Sequence, residues 1–157
     1  GDRLVYIGAY CLMPNHFHIL LTPAVENGIQ TFMLKLSTGY SMYFNKRYER
    51  TGNLFQGKFK SQHVNTDEYL KYLFSYIHLN PVKLIQSDWK DVGIQDINRV
   101  KPYLDGYSYS SLQDYLGERE ESMILNKDKF PEYFKGQHEI NNELLGWLEY
   151  GESSIGQ

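Results

Sequence analysis

Two apolar runs separated by a Pro-Asn pair predict a β-hairpin near the start of the chain. The runs are "LVYIGAYCLM" (residues 4–13) and "HFHILL" (residues 16–21), and Pro14-Asn15 joins them. Aliphatic and aromatic residues favour strands, whereas Pro and Asn favour turns. A hairpin makes its two strands antiparallel neighbours, so the fold of this chain has to include an antiparallel sheet.

Two segments with helical periodicity follow the hairpin. Apolar residues recur at spacings of three and four in residues 28–49, which predicts a long amphipathic helix. A loop and a third strand around residues 58–64 are expected next. Asn65, with Glu68 three residues later, can cap a second helix, and Pro81 is expected to end it.

The second half of the chain has weaker patterns. "DGYSYSSLQDYLG" (residues 105–117) and "NNELLGWLEYG" (residues 141–151) are typical of short helical pieces. Strands interrupted by long helices, with a hairpin at the start, predict an α+β fold in which helices pack on one face of an antiparallel sheet.

Composition narrows the class of protein. At 157 residues the chain suits one domain, and no apolar run approaches the roughly 18 residues of a membrane span. Cys11 is the single cysteine, which excludes an internal disulfide and a multi-cysteine zinc site and fits a reducing cytosol. We therefore expect a cytoplasmic protein that has no membrane partner.

The net charge of −3 is unevenly distributed along the chain. The segment from residue 114 onward has ten acidic and four basic residues, which argues against a protein that coats duplex DNA with its whole surface. Residues 46–60 have the opposite character: five basic residues against one acid, with Phe55 and Phe59 between them. Cations for phosphates and rings for stacking suit a nucleic-acid groove, although a solvated charged loop has the same composition. The candidates for phosphate contacts are Arg47, Arg50, Lys58 and Lys60.

His16 and His18 are unusual in an apolar strand. Side chains alternate across a strand, so the two imidazoles share one face, and Phe17 and Ile19 are expected to anchor the other face in the core. Two imidazoles one residue apart can hold one divalent cation with most of its coordination shell open, which suits Mg²⁺ or Mn²⁺ bound also to a phosphate. Alternatively, they are an exposed or hydrogen-bonded pair on an edge strand.

Tyr76 and Asn80 lie four residues apart in the second predicted helix and therefore on one helical face. Asn80 offers a carbonyl oxygen as a third ligand, and the Tyr76 phenolate can attack a metal-polarised phosphate. The pattern leaves two alternatives. Tyr69 and Tyr72 lie close to the same stripe, and Tyr76 and Asn80 also suit plain helix packing and a helix C-terminus.

Four segments, taken in order, carry a resemblance to a known family. They are "MPNHFHILL", "GNLFQGKFKSQHV", "YLKYLFSYIHLNPVK" and "YSYSSLQDYLG". Together they resemble the REP-associated tyrosine transposases, which belong to the single-tyrosine branch of the HUH (His-hydrophobic-His) nucleases and are similar to insertion-sequence transposases.

The resemblance implies a ferredoxin-like α+β fold, with His16, His18 and Asn80 as ligands of Mg²⁺ or Mn²⁺ and Tyr76 as nucleophile. It implies an enzyme that nicks and rejoins single-stranded DNA beside a hairpin, in a repetitive palindromic element or transposon end, through a 5′-phosphotyrosine. Such an enzyme would act in the bacterial cytoplasm, at the nucleoid. Two alternatives stay open: a catalytically silent hairpin-binding regulator, and an HUH replication initiator that uses Tyr72 with Tyr76.

The matched segments predict a nuclease domain over residues 1–117 and an acidic, helical C-terminal extension over residues 118–157. The family normally has a strand and a helix before the point where this chain begins, so we expect that part to be missing here. Leu84, Ile85 and Tyr109 depart from the family's usual residues without removing a catalytic group. The oligomeric state, monomer or homodimer, stays open.

Overall fold

A computed structural model describes residues 3–117, 123–133 and 136–150. Its elements are the strands β1 (Val5–Leu12) and β2 (Phe17–Pro23), the helices α1 (Gly28–Arg47), α2 (Asp67–Leu79), α3 (Trp89–Val92), α4 (Ile97–Asp105), α5 (Leu112–Leu116) and α6 (Gln137–Tyr150), and the 3₁₀ turns Asn80–Leu84 and Lys127–Lys129. The chain divides into two compact units. The first unit lies within Gly1–Tyr6 and Leu21–Val64, and the second within Ile7–Leu20 and Asn65–Gln157.

The predicted hairpin is confirmed. β1 and β2 form an antiparallel two-stranded sheet, and the Met13 N–H donates to the His16 carbonyl across the Pro14-Asn15 turn at 2.8 Å. β2 begins one residue later than expected, so His16 closes the turn and His18 is the second residue of the strand. With helices in the rest of the described chain, the fold is α+β as predicted.

The prediction of a third strand around residues 58–64 is wrong, because residues 51–65 have no regular secondary structure. Phe59 and Val64 are five residues apart, so in a strand they would point to opposite faces and would not form one apolar face. Lys58 and Lys60 are exposed, as Phe59 is.

A late segment of the chain covers the second edge of β1. Ser110 forms an antiparallel bridge with Cys11, the Leu12 N–H donates to the Tyr109 carbonyl at 2.8 Å, and the Ser111 N–H donates to the Tyr10 carbonyl at 2.9 Å. These bonds satisfy main-chain groups that would otherwise be open at a strand edge.

Helix α1 belongs to the first unit and ends at Arg47, two residues before its predicted end. Its start is tightly packed: a Cβ at Gly28 would lie 2.0 Å from the Leu4 carbonyl oxygen, so only glycine fits. Met33 is the one other buried residue of the helix, whereas Tyr40 and Tyr43 of the expected apolar face are exposed.

Helix α2 starts one residue later than the capping pattern predicted. The cap is Thr66, whose extended backbone lets its Oγ1 accept from the Tyr69 N–H at 3.2 Å, so the expected Asn65 cap is wrong. Asp67 and Glu68 lie in the first turn, where negative charge is favourable. At the other end α2 ends at Leu79 with Asn80 as its C-cap, next to Pro81 as predicted, and the chain continues in the 3₁₀ turn Asn80–Leu84.

The second unit has two apolar clusters, and α2 contributes to both. Phe74 and Ile77 pack with Ala9 and Cys11 of β1. Leu79 packs in a larger helical cluster whose other buried members are Val82, Trp89, Val100, Leu104, Leu112, Leu116, Ile140, Leu144 and Leu148. The last three are in α6, so this helix of the predicted C-terminal extension packs into the core, and the boundary of the extension at residue 117 stays a prediction. In the described part of the chain no helix has the length and hydropathy of a bilayer span.

His78 is a fully buried polar residue of α2. Its Nε2 is 2.7 Å from the Ser111 Oγ, and Ser111 Oγ in turn lies 3.2 Å from the Tyr10 carbonyl oxygen. Burial lowers the pKa of His78 from about 6.5 to about 3. The imidazole is therefore neutral in the folded protein, and it links α2 to the segment that covers β1.

This burial predicts a loss of stability in mild acid. Above pH 6.5 His78 is neutral in both states, and below it only the unfolded chain binds the proton readily. The free energy of unfolding should therefore fall by up to about 1.4 kcal/mol per pH unit as the pH drops from 6.5 towards 3. Denaturant titrations at pH 7.5, 6 and 5 measure this slope.

The matched variants are His78→Gln, which should flatten the pH dependence, and His138→Gln, which alters an exposed imidazole and should not. An unchanged slope in His78→Gln would contradict the assignment of the acid sensitivity to this residue.

Candidate active site

The two histidines lie at the start of β2. His16 is exposed at the end of the hairpin turn and His18 is half-buried. Their ring centroids are 5.1 Å apart and the ring planes are nearly perpendicular, at 88°. The expectation that the two imidazoles share one side of the strand is consistent with this distance, which is short enough for both rings to approach one ion.

Asn15 orients the first imidazole. The Nδ1 of His16 lies 2.7 Å from the Asn15 Oδ1, and since a carbonyl oxygen only accepts, Nδ1 carries the hydrogen. In the neutral imidazole this leaves the lone pair on Nε2, the nitrogen that would bind a metal. Hydrogen bonds of this kind commonly fix the tautomer of metal-binding histidines.

The core contact of β2 is made on the same side as the histidine pair. Leu20, two residues after His18, packs against the cluster of Ala9, Cys11, Phe74 and Ile77. Phe17 and Ile19 are half-buried and lie outside that cluster, so they do not anchor the strand there as expected. The histidine side of β2 therefore faces α2, the helix that contains the candidate nucleophile.

Among the ring contacts of the described residues, Tyr76 is the tyrosine of α2 that contacts His18. Its ring centroid is 5.6 Å from that of His18, in an edge-to-face arrangement at 80°. Tyr69 stacks on Tyr72 at 6.0 Å, and Tyr72 contacts both Tyr76 and Trp147. Position along α2 thus separates three tyrosines that the sequence pattern left equivalent.

Asn80 is buried at the C-terminal end of α2 and holds a fixed orientation. Its Nδ2 donates to the Tyr76 carbonyl at 2.8 Å, and its Oδ1 is buried and meets no hydrogen-bond donor among the described residues. Such an unsatisfied acceptor costs about 1–3 kcal/mol, a cost that a cation or a donor from substrate would remove.

The donor set fits a divalent cation. It would consist of two imidazoles and one amide oxygen, since no cluster of three His, Cys, Asp or Glu side chains that would suit a metal occurs among the described residues. Because imidazole and amide ligands carry no charge, His16, His18 and Asn80 would leave the charge of the ion for an anionic substrate oxygen.

Two lysines place positive charge beside Tyr76. The Nζ of Lys90 lies 4.4 Å from the centre of the Tyr76 ring, and that of Lys83 lies 5.5 Å from it. Burial, and then electrostatic interaction with His16 and Lys83, lower the pKa of His18. His18 is therefore neutral at neutral pH, which is the form that binds a metal.

Sequence reasoning missed both lysines. Lys83 is seven residues after Tyr76, two helical turns further on, and this spacing was an available signal. Lys90 is brought to Tyr76 by the fold around the 3₁₀ turn and α3, which no local pattern indicates.

A comparison with known protein families identifies the family of the chain. The family model described as "Transposase IS200 like" matches residues 2–80, which is 79 of 157 residues and just over half of the chain. The chain belongs to the IS200-like transposase family. The matched range includes His16, His18, Tyr76 and Asn80, whereas Lys83, Lys90 and α6 lie beyond it. Comparison with curated proteins and comparison with solved structures gave no match.

In this IS200-like transposase, the four basic residues predicted to bind DNA lie in the first unit. Arg47 is in the last turn of α1, and Arg50 stacks over the Phe44 ring, with 5.6 Å between its Cζ and the ring centre. Lys58 and Lys60 are exposed in the segment without regular secondary structure. Their contact with DNA stays a prediction.

The orientation of His16 can be tested by metal binding. We expect Asn15→Ala to weaken Mn²⁺ affinity of the transposase about 10- to 100-fold, as losses of ligand-orienting partners generally do, because the His16 tautomer is no longer fixed. His16→Ala should weaken it further. Electron paramagnetic resonance of free Mn²⁺ during a titration measures both values.

His63→Ala serves as the control, since His63 is an exposed histidine outside the site. Unchanged Mn²⁺ affinity in both Asn15→Ala and His16→Ala would exclude the histidine pair as the metal site.

Proposed function

We propose that this transposase cleaves and rejoins single-stranded DNA beside a hairpin through a 5′-phosphotyrosine on Tyr76. Mg²⁺ or Mn²⁺, held by His16, His18 and Asn80, is the proposed cofactor. The observation that carries the proposal is the contact of Tyr76 with His18, with ring centroids 5.6 Å apart, because it puts a phenol beside a candidate metal ligand.

In the proposed reaction the Tyr76 Oη attacks the scissile phosphorus. A bond forms between Oη and phosphorus, and the bond between phosphorus and the 3′ oxygen breaks. The phenol proton leaves to solvent and the released 3′ oxygen gains one, so a free 3′ hydroxyl and a 5′-phosphotyrosine result. Rejoining is the same step in reverse, with a 3′ hydroxyl attacking the phosphotyrosine. A bound divalent ion would polarise the phosphate for both steps.

The side chains near Tyr76 support this role. Asn80 is fixed to the Tyr76 carbonyl, so the nucleophile and a candidate ligand move as one element. Lys83 and Lys90 offset the negative charge that the attacking phenolate and the phosphate bring together.

Tyr76 is favoured over Tyr72 by its neighbours. Tyr72 packs on Trp147 at 5.3 Å, whereas Tyr76 contacts His18. A replication initiator that uses both tyrosines would need each phenol to reach the metal, so this difference favours the single-tyrosine reaction.

A covalent adduct tests the nucleophile. DNA hairpins with randomised single-stranded flanks, labelled at the 3′ end, are incubated with protein and Mn²⁺ and separated under denaturing conditions. We expect a labelled protein band with the wild type and with Tyr72→Phe, and none above background with Tyr76→Phe, which loses only the attacking oxygen. His16→Ala should also lose the band but still bind the hairpin.

Two outcomes would overturn the assignment. An adduct that persists in Tyr76→Phe and disappears in Tyr72→Phe would make Tyr72 the nucleophile. Hairpin binding without an adduct for any divalent ion would favour the silent regulator.

The four basic residues are proposed as sequence-independent phosphate contacts. Each contact with single-stranded DNA contributes about 0.7 to the slope of log affinity against log salt. We expect a variant with Arg47, Arg50, Lys58 and Lys60 all changed to Gln to have a shallower slope, by about 0.7 for each phosphate contact that is lost. Fluorescence anisotropy between 50 and 300 mM NaCl measures the slope. Lys35→Gln, an exposed lysine earlier in α1, is the control and should keep the slope.

A further inference from the structure

A row of aromatic rings runs along α2 and leads to Tyr76. The ring centroids of Tyr69 and Tyr72 are 6.0 Å apart with planes only 18° from parallel, and those of Tyr72 and Tyr76 are 5.9 Å apart. All three rings are half-buried, so part of each is accessible. Rows of accessible rings are the surfaces on which unpaired bases stack.

Helix α6 adds a fourth ring to the row. Trp147 packs against Tyr72 with 5.3 Å between ring centroids. Its Nε1–H donates to the Glu143 carboxylate at 3.2 Å, and Glu143 forms an ion pair with Lys71 of α2 at 3.4 Å. The indole is therefore held from α6 through Glu143 and from α2 through Tyr72.

Three of these rings, those of Tyr72, Tyr76 and Trp147, border a shallow cleft that is open to solvent. It is lined by Tyr72, Tyr76, Leu79, Trp89, Lys90 and Trp147. Lys90 brings a positive charge to the Tyr76 end of the cleft, 4.4 Å from the ring centre. The Nε1–H of Trp89 is buried and has no hydrogen-bond acceptor in the described part of the chain.

Aromatic rings beside a cation match a nucleotide: the rings suit its base and the ammonium suits its phosphate. Trp89, Lys90 and Trp147 come after residue 80, beyond the range that the family model matches.

We propose that Tyr69, Tyr72 and Trp147 form a stacking platform for unpaired DNA bases next to the scissile phosphate, with Lys90 binding the adjoining backbone phosphate. This inference rests on the proposed function, since it takes single-stranded DNA as the substrate. It assigns to α6 a direct part in holding that substrate.

The test separates stacking from charge. The probes are a 15-nucleotide single-stranded oligothymidylate and an abasic deoxyribose-phosphate oligomer of the same length and charge. Binding of both probes is measured with the Tyr76→Phe protein, which lacks the attacking oxygen and cannot form the covalent adduct. We expect Trp147→Ala to weaken oligothymidylate binding about 5- to 150-fold, the range for loss of one stacked base, with little effect on the abasic oligomer. Lys90→Gln should weaken both.

Fluorescence gives a second readout that needs no destabilising variant. The chain has two tryptophans, and Trp89 is 2% exposed, so quenching by a stacked base should come from Trp147. Oligothymidylate should quench the emission, the abasic oligomer should not, and Trp147→Phe should lose the effect while retaining most of the affinity. Tyr103→Ala, a half-buried ring on α4 outside the cleft, is the control and should behave as the parent protein.

The outcomes distinguish this inference from the proposed function. Quenching by oligothymidylate that disappears in Trp147→Phe supports the platform even if Tyr76 forms no adduct. The opposite result is an adduct on Tyr76 without quenching by oligothymidylate, and with Trp147→Ala weakening the affinity for both probes equally. It would overturn the platform and leave the proposed function standing.

Discussion

The packing of α2 on β1 determines where every candidate catalytic group lies. Phe74 and Ile77 are buried against Ala9 and Cys11, and this contact fixes the rotation of the helix about its own axis. With residues 74, 75, 77 and 78 buried, Tyr76 is the residue of that turn left on the accessible side, next to His18. The apolar contact thus sets the direction of the phenol, although it takes no part in the chemistry.

Local periodicity was sufficient to group the candidate site residues in pairs. A period of two puts His16 and His18 on one side of a strand, and a period near 3.6 puts Tyr76 and Asn80 on one side of a helix. These rules depend only on backbone geometry, so they hold before any tertiary contact is known. They do not decide among Tyr69, Tyr72 and Tyr76, because that choice depends on which part of α2 lies opposite β2.

The parts that sequence did not predict depend on contacts between distant segments. Lys90 and Trp147 reach the neighbourhood of Tyr76 from α3 and α6, and no spacing rule joins positions so far apart. The expected strand at residues 58–64 failed because its Phe59 and Val64 do not share a face. The expected Asn65 cap failed by one residue because Asn65 and Thr66 are both good caps, and only backbone conformation separates them.

The segment at residues 109–111 has a consequence for how the sheet meets other chains. Strand edges commonly recruit a further strand from a second molecule, which pairs with the open main-chain groups. Between Tyr10 and Leu12 those groups already bond to Tyr109 and Ser111. A foreign strand would first have to displace this segment and, with it, the hydrogen bond between Ser111 and the buried His78. The stretch of β1 closest to the histidine turn is in this way closed to strand addition.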